Sequence, residues 1–187
     1  RLPREHVLQE WASQVPESFT FAIKASQRIT HHARLKPESK ELVEYLLKNT
    51  AVLGAKLGPV LFQLPPNLKK DIDRLRAFLA FLPDDRKFTI EFRNSSWFDD
   101  DVVEALRARN VALTITDQED FATPPICSAT WGYLRLHRFD YDAASLAGWA
   151  ARVKEQPWEE AYVYFKHDEG VASGPPAEDA FLRALGE

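Results

Sequence analysis

The sequence predicts an α/β fold, a TIM-type (β/α)8 barrel, and three observations carry that expectation. Six short β-like runs alternate with helical patterns, and such alternation calls for parallel strands, because each crossover must be long enough to return over the sheet. Within the strands one parity is apolar and the other small or polar: Thr20, Ala22 and Lys24; Thr89, Glu91 and Arg93; Tyr133, Arg135 and His137; Tyr162, Tyr164 and Lys166. An open doubly wound sheet, covered on both faces, would read as nearly continuous apolar runs. A barrel instead turns its apolar parity to the helical ring and its polar parity to the lumen. Finally, a full barrel takes ~250 residues, whereas this chain has 187. Six βα units behind a leading helix match strands three to eight of a single barrel-like domain over residues 1–187, with about the first two strands missing.

The elements follow in order. Val7, Leu8, Trp11 and Val15 mark a helix ahead of the first strand, "FTFAIKAS" at 19–26. Leu42, Leu46 and Leu53 mark the next helix, before "PVLFQL" at 59–64. Ile72, Leu75, Phe78, Leu79 and Leu82 keep helical spacing before "KFTIEFR" at 87–93, and Val102, Val103 and Leu106 do so before "VALTITD" at 111–117. "WGYLRLH" at 131–137 is followed by Leu146, Trp149, Ala150 and Val153, and "AYVYFKH" at 161–167 by a helix with Phe181, Leu182 and Leu185, opened by Pro175 and Pro176. The regular order is α(βα) with the βα unit repeated six times.

Composition bounds the function. The chain is 45% hydrophobic and 28% charged, enough for a sizeable core. A formal net charge of −4 gives no general attraction to nucleic acid or to an anionic membrane, so an anion site must be local. The single cysteine, Cys127, excludes an internal disulfide and a cysteine-rich zinc site and favours a reducing, cytoplasmic compartment. No apolar run approaches the ~20 residues of a membrane span. The start at "RLPREHV" and the absence of methionine suggest an excised fragment, or a chain whose missing or modified residues are not written out.

The carboxyl ends of the strands, where barrel enzymes build their sites, hold Lys24 and Ser26, Gln63, Glu91 and Arg93, Asp117, Arg135 and His137, then Lys166, His167 and Asp168. Part of this set must pair, since unpaired buried charges cost several kcal/mol each, and a purely structural ion network is one reading. The other is a functional mouth, because a scaffold built for stability alone would use branched apolar side chains there. Lys24, Arg93, Arg135 and Lys166 outnumber Glu91 and Asp117, leaving positive charge for a phosphate or carboxylate, which Arg93 or Arg135 can grip bidentately.

Three chemistries are open. Glu91 can do acid and base work with Lys24, Lys166 or His137. A divalent metal could use Glu91, Asp117, His137, His167 or Asp168, and Lys24 or Lys166 could form a Schiff base. No P-loop, GxGxxG, GxSxG or HExxH motif is present. Trp97 and Phe98 form either a stacking wall for a sugar or base or a hydrophobic lid on the next helix. "ITHHARLK" at 29–36, with His31, is a basic loop, either solvated or folded over an anionic ligand.

With those residues in view, the chain resembles the YecE-like proteins, a family defined as a domain of unknown function, number seventy-two. The matching stretches are "FAIKASQRITHHARL", "LGPVLFQLPPNLKKD", "IEFRNSSWF", "YLRLHR" and "YVYFKHDEG", in the family's order and over nearly the whole chain. The resemblance implies a TIM-type barrel whose first strand and "TFYRLP"-like second strand precede this chain's "RLP". It supplies no reaction. The expected function is an enzyme acting on a phosphorylated sugar or nucleic acid; the alternative is a module that binds such an anion without turnover.

Overall fold

The computed structural model describes residues 4–138, 140–166 and 175–186. They form two compact units, one up to Val111 and one from Ala112 onward.

The first unit opens with α1 (Glu5–Ser13), followed by β1 (Phe21–Lys24), α2 (Ser39–Thr50), β2 (Leu57–Gln63), α3 (Ile72–Ala80), β3 (Phe88–Glu91) and α4 (Asp100–Arg107). β1, β2 and β3 are parallel neighbours in that order, with Lys24 beside Leu61, Phe62 beside Ile90 and Gln63 beside Glu91. Parallel neighbours in register send side chains to the same face. Phe62 meets Phe78 of α3 edge-on, with ring centroids 5.1 Å apart, so the Phe62 and Ile90 face is the helix-covered one. Gln63 and Glu91 therefore turn to the opposite face, as the alternation in the sequence requires. Phe62, Phe78 and Phe88 are fully or almost fully buried, each worth roughly 1.5–3 kcal/mol of apolar burial.

The helices after β2 and β3 start on side-chain caps. Asp71 accepts from the Arg74 amide at 3.0 Å and Asp99 from the Asp100 amide at 3.0 Å. Such caps occupy amides that the helix itself leaves without partners.

The second unit contains β4 (Ala112–Leu113), β5 (Ile115–Asp117), β6 (Trp131–Leu136), α5 (Ala143–Lys154), β7 (Glu160–Phe165) and α6 (Pro175–Leu185). β5, β6 and β7 are parallel in that order, with Asp117 beside Leu136 and Arg135 beside Tyr164. Their core is Ile115, Leu134, Leu136, Leu146, Trp149, Ala150, Ala177 and Phe181. Asp142 caps α5 by accepting from the Ser145 amide at 2.7 Å.

Two expectations need correction. "VALTITD" is two short strands interrupted at Thr114. The βα repeat also breaks once, because residues 118–130 cross from β5 to β6 without a helix. That segment turns back on β5 through an antiparallel bridge between Asp117 and Ala122. Consecutive prolines at 124 and 125 lack the amide hydrogens that a helix interior needs.

Candidate functional site

In the first unit the ends of three adjacent strands carry a linked row of polar groups. Lys24 Nζ donates to Gln63 Oε1 at 2.8 Å, and Gln63 Nε2 donates to Glu91 Oε1 at 2.7 Å. Arg93 Nε stands 3.5 Å from the same carboxylate oxygen. Register makes the row: Gln63 is directly opposite Glu91, and Lys24 lies on the same face one strand away. Glu91 is 0% exposed, while the Arg93 side chain keeps 35% of its surface. A buried carboxylate must be matched by donors or by positive charge, and here an amide and a guanidinium do so. The guanidinium keeps one side toward solvent.

The loop after β1 adds to this row. Arg28–His32 makes a single wide turn of π-helix, and His31 Nδ1 lies 2.8 Å from Thr30 Oγ1. His31 is held below the ordinary histidine value, first by burial and then by the charges of Lys24, His32, Arg93 and Arg34. It therefore shares the electrostatic environment of Lys24 and Arg93. Arg34 and Leu35 both adopt left-handed backbone, with φ of 51° and 59°. Two such non-glycine residues in succession cost on the order of 1–2 kcal/mol each. Leu35 is buried and the Arg34 side chain is tied down, Nε donating to the His31 carbonyl at 3.2 Å and Nη2 to Asn67 Oδ1 at 3.4 Å.

The rim continues across the next two loops. Asn94 Nδ2 donates to the Pro66 carbonyl at 2.9 Å, and Trp97 Nε1 donates to the Leu68 carbonyl at 2.7 Å. Lys70 pairs with Asp99 at 2.5 Å and with Asp101 at 2.8 Å. Trp97 is 1% exposed and stacked on Phe92, with centroids 4.6 Å apart and planes at 12°. It is the hydrophobic lid of the two expected arrangements, and its buried ring offers no open face to a ligand.

In the second unit Asp117, Arg135, His137 and Lys166 stand at the carboxyl ends of β5, β6 and β7, but Arg135, in register with Thr116 and Tyr164, turns to one face and Asp117, in register with Leu136, to the other. The His137 amide donates to the Asp117 carbonyl at 2.8 Å and the Lys166 amide to the Leu136 carbonyl at 3.0 Å. Asp117 Oδ2 accepts from the Tyr141 hydroxyl at 2.9 Å and from Trp149 Nε1 at 3.2 Å. Burial and then that hydrogen bond hold the Tyr141 hydroxyl above the usual phenol value.

The structure thus joins Lys24, His31, Gln63, Glu91 and Arg93 within one unit; in the other it leaves Arg135, His137 and Lys166 at the strand ends but turns Asp117 to the opposite, helix-covered face with Leu136, Tyr141 and Trp149. His167 and Asp168, named as metal ligands, lie outside the described residues, among which no group of three His, Cys, Asp or Glu side chains could hold a metal ion. Sequence reasoning missed Arg34 as an individual, since nothing in "HHARLK" signals left-handed backbone. It also missed Tyr141 and Trp149 as partners of Asp117, because the pairings span 24 and 32 residues.

A parallel α/β scaffold with charged groups massed at strand ends is the class of protein that this arrangement defines. The model of the family "Protein of unknown function DUF72" matches residues 1–187, and the chain belongs to that family. It is 26% identical over 181 residues to the UPF0759 protein YunF of Bacillus subtilis (strain 168), a match covering 86% of this chain and 61% of that protein's length. A DUF72 family protein from Enterococcus faecalis V583 has a similar structure, with a TM-score of 0.81 at 19% identity, covering 100% of this chain and 81% of the other. Another from Thermotoga maritima MSB8 gives 0.78 at 21% identity with the same two coverages. At those identities the likeness concerns the fold. Among the described residues no helix is long and apolar enough to cross a membrane.

Proposed function

We propose that this protein is an enzyme that acts on an anionic substrate, a phosphorylated sugar or a nucleic acid, at the carboxyl-terminal mouth of a TIM-type barrel. The observation that carries this reading is the row Lys24–Gln63–Glu91–Arg93, in which a wholly buried carboxylate lies beside Arg93 and is linked through the Gln63 amide to Lys24 two strands away. In it Glu91 is the general acid or base, oriented by the Gln63 amide. Lys24 and Arg93 balance negative charge on the substrate, and Arg34 and His31 border the same field from the loop above. His137 and Lys166 are further candidates for catalysis and Arg135 for ligand binding, on the reading that both units belong to one barrel domain. Parallel order within each unit supports that reading, as does the fit of the whole chain to DUF72 structures. The single cysteine suits a cytoplasmic setting.

Barrel sites use strand-end residues for chemistry and βα loops for binding, and the row and its rim follow that division. Removing a guanidinium that grips an anion should weaken binding roughly 10- to 100-fold. The test is phosphate binding by calorimetry on the wild-type chain, Arg93→Gln and Arg34→Gly, joined to turnover assays over phosphomonoesters and phosphodiesters with Glu91→Gln as control. Weakened binding in both arginine variants, with turnover lost in Glu91→Gln, is the expected result. Phosphate affinity unchanged by either arginine variant would refute the site, and binding with no turnover of any substrate would identify a module without catalysis.

A further inference from the structure

A second feature lies wholly within the other unit. Between the loop Ala122–Pro125 and helix α5 runs an open groove of about 750 Å³, floored by Asp117 and bordered by Tyr141, Trp149 and Arg152. That volume falls within the range of small-molecule sites. We propose that it binds a small hydroxyl-bearing anion of the sugar-phosphate class. The inference uses no residue of the Lys24–Arg93 row.

Gly148 faces the groove from the middle of α5. Glycine in a helix interior is destabilising relative to alanine, and no atom lies within 4 Å of where its Cβ would be. Packing therefore does not require glycine there; its bareness keeps the groove open, as do the small side chains of Ala144 and Ser145 one turn earlier.

The polar groups of the groove are only partly used. Both donors to Asp117, the Tyr141 hydroxyl and Trp149 Nε1, converge on Oδ2, so Oδ1 remains for a ligand hydroxyl. Thr123 is 4% exposed and lines the groove, and its hydroxyl has no hydrogen-bond partner among the described residues. Buried hydroxyls are normally satisfied, and a hydroxylated ligand supplies what this one lacks.

The cationic end is Arg152. Its guanidinium sits 4.7 Å from the centroid of the Trp149 ring, which positions it without consuming its N–H donors, and those donors meet no acceptor among the described residues. Arg138 differs, since its Nε and Nη2 are already spent on Asp140 at 2.9 and 2.8 Å. An anionic group therefore goes to Arg152, and the sugar hydroxyls go to Asp117 and Thr123. Tyr141 and the two prolines give the ring apolar surface to lie on.

The test is calorimetry of the full chain with ribose 5-phosphate, ribose and inorganic phosphate. Ribose 5-phosphate should bind more tightly than either fragment. Arg152→Gln should weaken it roughly 10- to 100-fold, and Gly148→Leu, which fills the groove while favouring the helix, should abolish binding without lowering the melting temperature. All titrations are run in the Arg93→Gln background, which weakens anion binding at the strand-end row, so that the affinity read and its loss in Arg152→Gln and Gly148→Leu belong to the groove. Affinity no greater than that of inorganic phosphate, or retained in a folded Gly148→Leu protein, would overturn the proposal; so would the absence of binding at millimolar ribose 5-phosphate.

Discussion

Gln63 and Glu91 stand directly opposite each other on neighbouring parallel strands, and the amide nitrogen of the first lies 2.7 Å from the carboxylate of the second. The other end of the same amide accepts from Lys24 at 2.8 Å. Gln63 is thus a neutral spacer that orients a cation and a buried anion without letting them collapse into one ion pair.

Replacing Gln63 by Leu keeps the bulk and removes both hydrogen bonds. Lys24 is exposed and can rehydrate, but the Glu91 carboxylate is wholly buried and loses a donor. The expected cost is about 1–3 kcal/mol, read by urea unfolding. A stability equal to wild type would show that the amide orients nothing.

Glu91→Gln removes the negative charge and leaves an acceptor for Gln63. Breaking a fully buried pair costs about 3–5 kcal/mol, but Arg93 keeps 35% of its side-chain surface, so a loss nearer 1–3 kcal/mol is expected. Phosphate should bind as well or better beside the uncompensated Arg93. A large loss of stability together with weaker phosphate binding would make Glu91 a structural residue.

His31 gives the pH dependence. Its folded value lies below the ordinary one, so the unfolded chain takes up the proton more readily than the folded chain. Stability should therefore fall as pH drops from about 6.5 toward the folded value and be flat above that window. His31→Gln should flatten this segment of the curve, measured by urea midpoints at a series of pH values. Phosphate bound beside Lys24 and Arg93 should raise the His31 value, visible as an NMR titration shift of its ring protons. A curve unaltered by the substitution would show that His31 does not contribute.

Gly132 in β6 lies under Trp158. A Cβ there would fall 2.5 Å from Trp158 Cε3 and 2.6 Å from Cζ3, so Gly132→Ala must push the indole off the strand. Overpacking of this kind costs about 1–3 kcal/mol. Urea unfolding followed by tryptophan fluorescence measures it, and a variant as stable as wild type would mean that the indole shifts freely.

The sequence by itself determined most of the elements and the direction of the polar face. Helical spacing in Ile72–Leu82 and alternation in Phe88–Arg93 are local properties, fixed by backbone periods of 3.6 and 2, and the structure keeps both. Where a local signal was ambiguous or absent, tertiary structure decided. Trp97 could be lid or wall until Phe92 and the Leu68 carbonyl enclosed it. The 118–130 segment could not become a helix once its two prolines and its return along β5 were set. The left-handed backbone at Arg34 has no signature in composition, because it is held by Leu35 burial and by an asparagine on another loop. Strand register, which turns Lys24, Gln63 and Glu91 from separate polar residues into one hydrogen-bonded row, depends on how β1, β2 and β3 pair. That pairing is a long-range property, set by the packing of whole strands and helices and carried by no single stretch of sequence.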